Sequence, residues 1–313
     1  MRTVFGIFLA AAIAFCAWWF VGAHLFRSGV EDWFAAQTEA GRMAEVQDLE
    51  VTGFPARFRI ASGPVTVMDP ESGWGWQAPS AEVTMPAWWP LRVDFALPPQ
   101  QVLETPTGQV DLRLDGAGGT FQLSTSLAPV AGQVKAGPFA ASMAEGRLTG
   151  NSIALRSDRE DGTLHHLTIK ADGLELKAND IRLQEGAFDA VADVTLAEVV
   201  DDLADGVAVP IDRIVLHRAE LRFDRAVLSI TGDLVADGRG FAAGDLKLHV
   251  ENWPAILQPA VDAGLIPANR LDMLENGLRM MGGNDEVLEF PLTVEGGMVR
   301  FGPLPVATAP RFR

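Results

Sequence analysis

The sequence predicts a mainly β protein of the α+β class: an N-terminal transmembrane helix, then a large curved antiparallel sheet with a few short helices. Three observations carry this. An unbroken apolar run opens the chain, and apolar and polar residues alternate with period two over most of the remaining sequence. The connections are also too short for the helical crossovers that parallel strands require.

The opening run, Val4 to Phe26, reads VFGIFLAAAIAFCAWWFVGAHLF. Its length of about 23 residues gives a helix of roughly 34 Å, enough to cross a hydrocarbon core of about 30 Å. Arg2 precedes it without any acidic residue, whereas Arg27 is followed by Glu31 and Asp32. The positive-inside bias therefore places the start in the cytoplasm and everything after Arg27 in the periplasm, a single pass of the cytoplasmic (inner) membrane through residues 4–26. The run is longer than a secretory apolar region and passes through Trp18, Trp19 and Phe20 without a small-x-small site, so it is expected to be retained. Phe15 stands before Cys16, where lipid attachment would need a small residue.

Ser28 is a candidate cap for a helical stalk over residues 28–49, with Glu31 and Asp32 in its first turn complementing the helix dipole. After Leu49 the period changes to two. Leu91, Val93, Phe95 and Leu97 alternate with polar or small residues, as do Val110, Leu112 and Leu114, and many later segments. Asp115-Gly116, Asp161-Gly162, Asp172-Gly173, Glu185-Gly186 and Asp237-Gly238 read as the turns between strands. Two helical interludes are expected, Leu196 to Val207 and Trp253 to Met281, the second divided by Pro254, Pro259 and Pro267. A hairpin about Gly296-Gly297 and an extended proline-rich tail close the chain. The expected organisation is a start and anchor over 1–27, the stalk over 28–49, and one elongated β-rich unit over 50–313, with its best internal boundary near 200–210.

The net charge of -16 resides wholly outside the first 27 residues. Such an acidic surface repels phosphate backbones and anionic headgroups, which argues against nucleic-acid partners and against electrostatic adhesion to a membrane. Cys16 is the single cysteine, so the β-rich unit has no thiol for disulfide, metal or nucleophilic chemistry. No glycine-rich phosphate loop and no Gly-x-Ser-x-Gly elbow occurs. His165 and His166 are adjacent and would face opposite sides of a strand, while His217 and His249 stand in other strands. The clusters Asp201, Asp202, Asp205 and Asp158, Glu160, Asp161 fit no EF-hand loop. No catalytic, cofactor-binding or metal residue is assigned, and a hydrolase, with His165, His217 and His249 as its best residues, ranks last.

The distinctive side chains are Phe54, Trp74, Trp76, Trp88 and Trp89, a candidate apolar or partner surface. Core filling or edge protection would use the same residues. If the sheet curves, its row of Leu, Val and Phe side chains forms a continuous trough of the kind that holds an acyl chain.

Trp33 in the stalk, VTGFPARFRI, PAWWPLRVDFALP and the closing FPLTVEGGMVRFGPLPV together resemble the alphaproteobacterial envelope family catalogued as domain of unknown function 2125. Its motifs here, Gly53-Phe54-Pro55 with Arg57, and Gly302-Pro303, are structural, and the resemblance brings no catalytic residue. In architecture the chain is also similar to AsmA-like envelope proteins, which by analogy implies lipid handling. The expectation is a non-enzymatic envelope protein with a lipid ligand. The alternative is a structural or assembly factor that binds an envelope protein partner.

Overall fold

The computed structural model describes residues 2–312 apart from 71, 127, 179–180, 199–209, 263–270 and 283–286. One helix, α1 (Arg2–Glu39), opens the chain without a break. Ser28 therefore lies inside a helix instead of capping a second one. The helix ends where Gly41 adopts a left-handed φ of 83°, with Gly41 N–H donating to Thr38 O and Arg42 N–H to Gln37 O, both at 3.0 Å. This is the Schellman arrangement that glycine permits. The stalk thus stops short of residue 49, and Met43–Val46 is already a strand.

The strands are β1 (Met43–Val46), β2 (Glu50–Thr52), β3 (Arg57–Ser62), β4 (Val65–Asp69), β5 (Trp74–Ala78), β6 (Ala81–Pro86), β7 (Arg92–Ala96) and β8 (Gln100–Thr105). Then come β9 (Gly108–Leu114), β10 (Gly118–Leu123), β11 (Pro129–Ala136), β12 (Phe139–Met143), β13 (Gly146–Gly150), β14 (Ser152–Asp161), β15 (Leu164–Ala178) and β16 (Ile181–Leu196). The chain continues through β17 (Ile211–Phe223), β18 (Ala226–Ala236), β19 (Ala242–Glu251), helices α2 (Pro254–Asp262) and α3 (Leu271–Gly282), and β20 (Val287–Glu295), β21 (Met298–Phe301) and β22 (Leu304–Thr308). These strands pair antiparallel and belong to one sheet, as the alternation predicts.

The sheet forks at β15. Its first half, Leu164 to Asp172, pairs with β14, and its second half, Glu175 to Ala178, pairs with β13. From β14 one series, the lower wall, continues through β11, β10, β7, β6, β3 and β2. From β13 the other, the upper wall, continues through β12, β9, β8, β5, β4 and β1. The chain passes back and forth between the two walls, so that β3 with β4, or β11 with β12, forms one long strand with a crease at its middle.

Small and cyclic residues line the crease: Gly63-Pro64, Pro79, Pro98-Pro99, Gly116, Gly137-Pro138 and Gly173. Backbone hydrogen bonds cross it, from Leu97 N to Ala117 O, Leu114 N to Pro99 O, Asp115 N to Pro138 O and Asn151 N to Asp172 O, at 2.8–2.9 Å. Asp115-Gly116, Asp172-Gly173 and Glu185-Gly186 are thus bends or bulges within continuing strands, whereas Asp161-Gly162 and Asp237-Gly238 do reverse the chain. A left-handed residue bends a strand as readily as it turns one, and the aligned neighbours decide which.

Register puts apolar residues on one face throughout: Ile60 opposite Val83, Val83 opposite Phe95, Phe121 opposite Val93, Val134 opposite Leu155, Ile169 opposite Leu155. Leu228 opposite Val250 and Val250 opposite Leu288 extend the row. At about 4.8 Å per strand, the line from β2 to β22 spans roughly 65–70 Å. Among the described residues, three buried clusters sit on this face. One lies under α1 around Trp19, Phe58 and Met85, one under α2 around Trp253, Leu257 and Leu288, and one beneath the chain end around Val294, Ala309 and Phe312. The second helical interlude is therefore present, with Pro259 inside α2 instead of dividing it. Most of the first, 199–207, lies outside the described residues, and its start, Leu196, ends β16.

A candidate apolar trough beneath the helix

The helix closes one end of the creased sheet because one stripe of its residues faces inward, Trp19 with Gly22 and Ala23 three and four positions on, then Phe26, Val30, Trp33 and Gln37. At the lower rim the contact is tight. Trp19 stacks on Phe58 with centroids 5.5 Å apart, and its Nε1 donates to Arg57 O at 3.0 Å. Gly22 permits this approach, since a Cβ there would meet the Phe58 ring at 2.8 Å.

One turn further along, the helix and the two walls no longer fill the space between them. They leave a partly open cavity of about 540 Å³ lined by Phe26, Val30, Trp33 and Phe34 of α1, Ile60, Val83 and Met85 of the lower wall, and Val65, Val67 and Trp76 of the upper wall. Ser62 supplies the one polar side chain in that lining. The volume lies within the range of about 300–1,000 Å³ usual for small-ligand sites. Trp76 is held in place by its Nε1, which donates to Gln101 Oε1 at 2.8 Å, and the buried Gln101 amide donates to Pro98 O at 3.0 Å. The half-buried indole and the buried amide are thereby satisfied without offering a polar group to the cavity.

Val67 and Trp76 also border a second cavity of about 310 Å³ toward the upper rim, where Arg42, Asp69, Ser72 and Trp74 stand. Sideways, the apolar face continues past β7. There Phe95 stacks on Phe121 at 5.2 Å, and Phe121 and Leu155 are 39% and 36% exposed, an open stretch between the covered ends. A third cavity, about 640 Å³, lies on the other face of the upper wall among Gln77, Gln100, Asp111, Arg113 and Arg147.

That opposite face is laced by ion pairs. Arg59 meets Glu82 through two hydrogen bonds at 2.6–2.7 Å, Arg213 Nε donates to Asp233 at 2.8 Å, and Arg218 pairs with Asp189. Asp193 bridges His166 Nδ1 and His217 Nε2, each at 2.7 Å. The sequence separates these two histidines by 51 positions, and only strand register brings them to one carboxylate. His165 points the other way, 3.4 Å from Ser157 Oγ, with burial depressing its basicity. Among the described residues, no group of three or more His, Cys, Asp or Glu side chains is arranged to hold a metal ion.

The hydrogen bonds from Arg59, Arg218 and Arg213 hold Glu82, Asp189 and Asp233 below the usual carboxylate range, as those from His166 and His217 do for Asp193. A lowered folded pKa means that the unfolded chain binds more protons. The stabilisation is therefore complete above the ordinary carboxylate pKa of about 4 and is lost as pH falls through the folded values. Each exposed pair contributes little. Melting temperature is expected to decline as pH drops from about 5 toward 2, and Asp189→Asn with Asp233→Asn should flatten that decline. An unchanged acid limb in the double variant would refute the assignment.

The aromatic residues singled out in the sequence do not form one surface. Phe54, Trp88 and Trp89 stand at the lower rim, exposed; Trp74 stands at the upper rim, and Trp76 lines the cavity. Residues 19–310 match the model of an uncharacterised protein family conserved in bacteria, domain of unknown function 2125. The chain belongs to that family. In this family member the match begins at Trp19, a residue of α1 that is buried against the sheet. No curated protein and no solved structure matches the chain. The N-terminal helix is long and apolar enough to cross a membrane.

Proposed function

We propose that this is a non-catalytic envelope protein, anchored in the cytoplasmic membrane by the first part of α1, whose creased sheet shelters lipid acyl chains on the periplasmic side. The observation that carries this reading is the contrast between the two faces. One bears ion pairs throughout, and the other is an apolar row that, among the described residues, is covered only at its ends and opens into a cavity walled by Val30, Trp33, Val67 and Trp76. An apolar face left open along a creased sheet is stabilised by an apolar occupant, and hydrocarbon chains have the required shape.

A protein-binding role would draw on the open edge at β22, where Leu304 and Val306 are exposed. Pro305 removes an amide donor from that strand, which disfavours pairing with another chain and leaves lipid the better reading.

The test is native mass spectrometry of the full chain in mild detergent. Bound phospholipid or fatty acid is expected, with occupancy falling about tenfold when Phe121→Glu and Leu155→Glu are combined, since a charge in an apolar site costs more than one kcal/mol. Both positions are partly exposed, so the fold should persist by circular dichroism. Folded protein without lipid, or occupancy indifferent to the double variant, would overturn the proposal.

A further inference from the structure

The lower rim carries a second surface. From Ile13 onward, where burial is described, Trp19 is the first buried residue of α1; before it, Ile13, Phe15 and Trp18 are exposed, so the helix leaves the fold at this point. Two loops flank the exit, Gly53–Ala56 between β2 and β3, and Ala87–Leu91 between β6 and β7. Phe20 stacks on Phe54 at 5.8 Å, and Trp18 Nε1 lies 3.5 Å from Ala87 O. Beside them Trp88 and Trp89 are 70% and 59% exposed. Neither loop contains a charged residue, and the first ones to follow are Arg57 and Arg92.

The rim is fixed at this point of the helix, because Trp19 is locked onto Phe58 and Arg57 O.

We infer that the loops 53–56 and 87–91 form a membrane-docking surface, with Phe54, Trp88 and Trp89 seated in the headgroup layer of the leaflet that α1 leaves. Indoles favour that depth, and Arg57 and Arg92 follow at the height of the phosphates. The lower wall then stands on the bilayer, and the layer of Trp19, Phe58, Met85 and Ala87 separates the cavity from lipid. The inference rests on the membrane anchoring proposed for α1.

Full-length protein carrying Cys16→Ser and one new cysteine, at Ile13, Trp88, Trp89 or Glu145, can be labelled with an environment-sensitive fluorophore. Vesicles of equal parts phosphatidylethanolamine and phosphatidylglycerol supply the bilayer. Glu145 lies in the turn between β12 and β13, at the opposite rim. Labels at 88 and 89 should be quenched by lipid spin-labelled near the headgroup and respond to aqueous iodide several-fold less than the label at 145. The label at 13 should respond to acyl-chain quenchers alone. Iodide access at 88 and 89 equal to that at 145, with 13 protected, would overturn rim docking while leaving the anchor intact; iodide access at 13 would overturn the anchor itself. Protection from iodide at 88 without lipid quenching would overturn docking in favour of a protein contact, including a second copy of this chain.

Discussion

Replacing Trp19 by alanine is expected to lower the stability of the helix-capped end by about 3–5 kcal/mol, the usual cost of removing a buried large aromatic side chain. Trp19 is 4% exposed, stacks on Phe58, meets Phe54 edge-on at 5.4 Å and donates its indole N–H to Arg57 O. Phe58, itself 1% exposed, would lose its cover. Trp19→Phe keeps most of the packing and loses the hydrogen bond, so it should cost about 1 kcal/mol more than any loss of contact area. Trp18→Ala, one position away and 55% exposed, should stay within about 0.5 kcal/mol in detergent. Denaturant melts of the three variants, with limited proteolysis of the segment from Trp19 to Glu39, give the comparison. A Trp19→Ala protein that loses less than Trp18→Ala, or whose helix stays resistant to protease, would show that α1 is not held by this contact.

The reason this contact could not be read from the sequence is that the run from Val4 to Phe26 is apolar on every side. A helix face that packs on a sheet and one that faces lipid use the same residues, so periodicity has nothing to distinguish. Only after His24 do polar residues appear on the outer face, and by then the docked stripe is half complete. The strands were more legible, because alternation of period two survives any arrangement of the sheet. Thus Arg92 to Ala96 and Gly108 to Leu114 form strands close to where Val93, Phe95, Leu112 and Leu114 place them. Turn chemistry was legible only as conformation. Asp161-Gly162 and Asp172-Gly173 look alike in sequence, and both glycines have positive φ, yet one reverses the chain and the other creases it. The aromatic surface divided between two rims and the cavity for a related reason. Which rim a residue reaches depends on whether the preceding Gly or Pro turned the strand or only bent it.

The crease supplies the second large effect. Gly173 has a φ of 65°, and a Cβ there would meet Asn151 Nδ2 at 2.1 Å. Gly173→Ala therefore combines a left-handed backbone, about 1–2 kcal/mol for a residue with a side chain, with overpacking of about 1–3 kcal/mol. Gly162→Ala is the matched comparison, since its φ is 46° and nothing lies within 4 Å of the added carbon; it should cost the backbone part alone. The excess at 173 measures how closely β13 and β14 approach β15 where the two walls part. Asn151→Gly in the Gly173→Ala background should recover much of that excess, because it removes the amide that the new methyl would strike. Equal melting temperatures for Gly173→Ala and Gly162→Ala would mean that the crease is soft and the angle between the walls is not fixed by this contact. If the excess is present, the same variant should lose bound lipid before it loses strand content. A crease forced open separates Val67 and Trp76 from Ile60 and Val83, the walls between which the cavity lies, while leaving the ladders on either side of it paired.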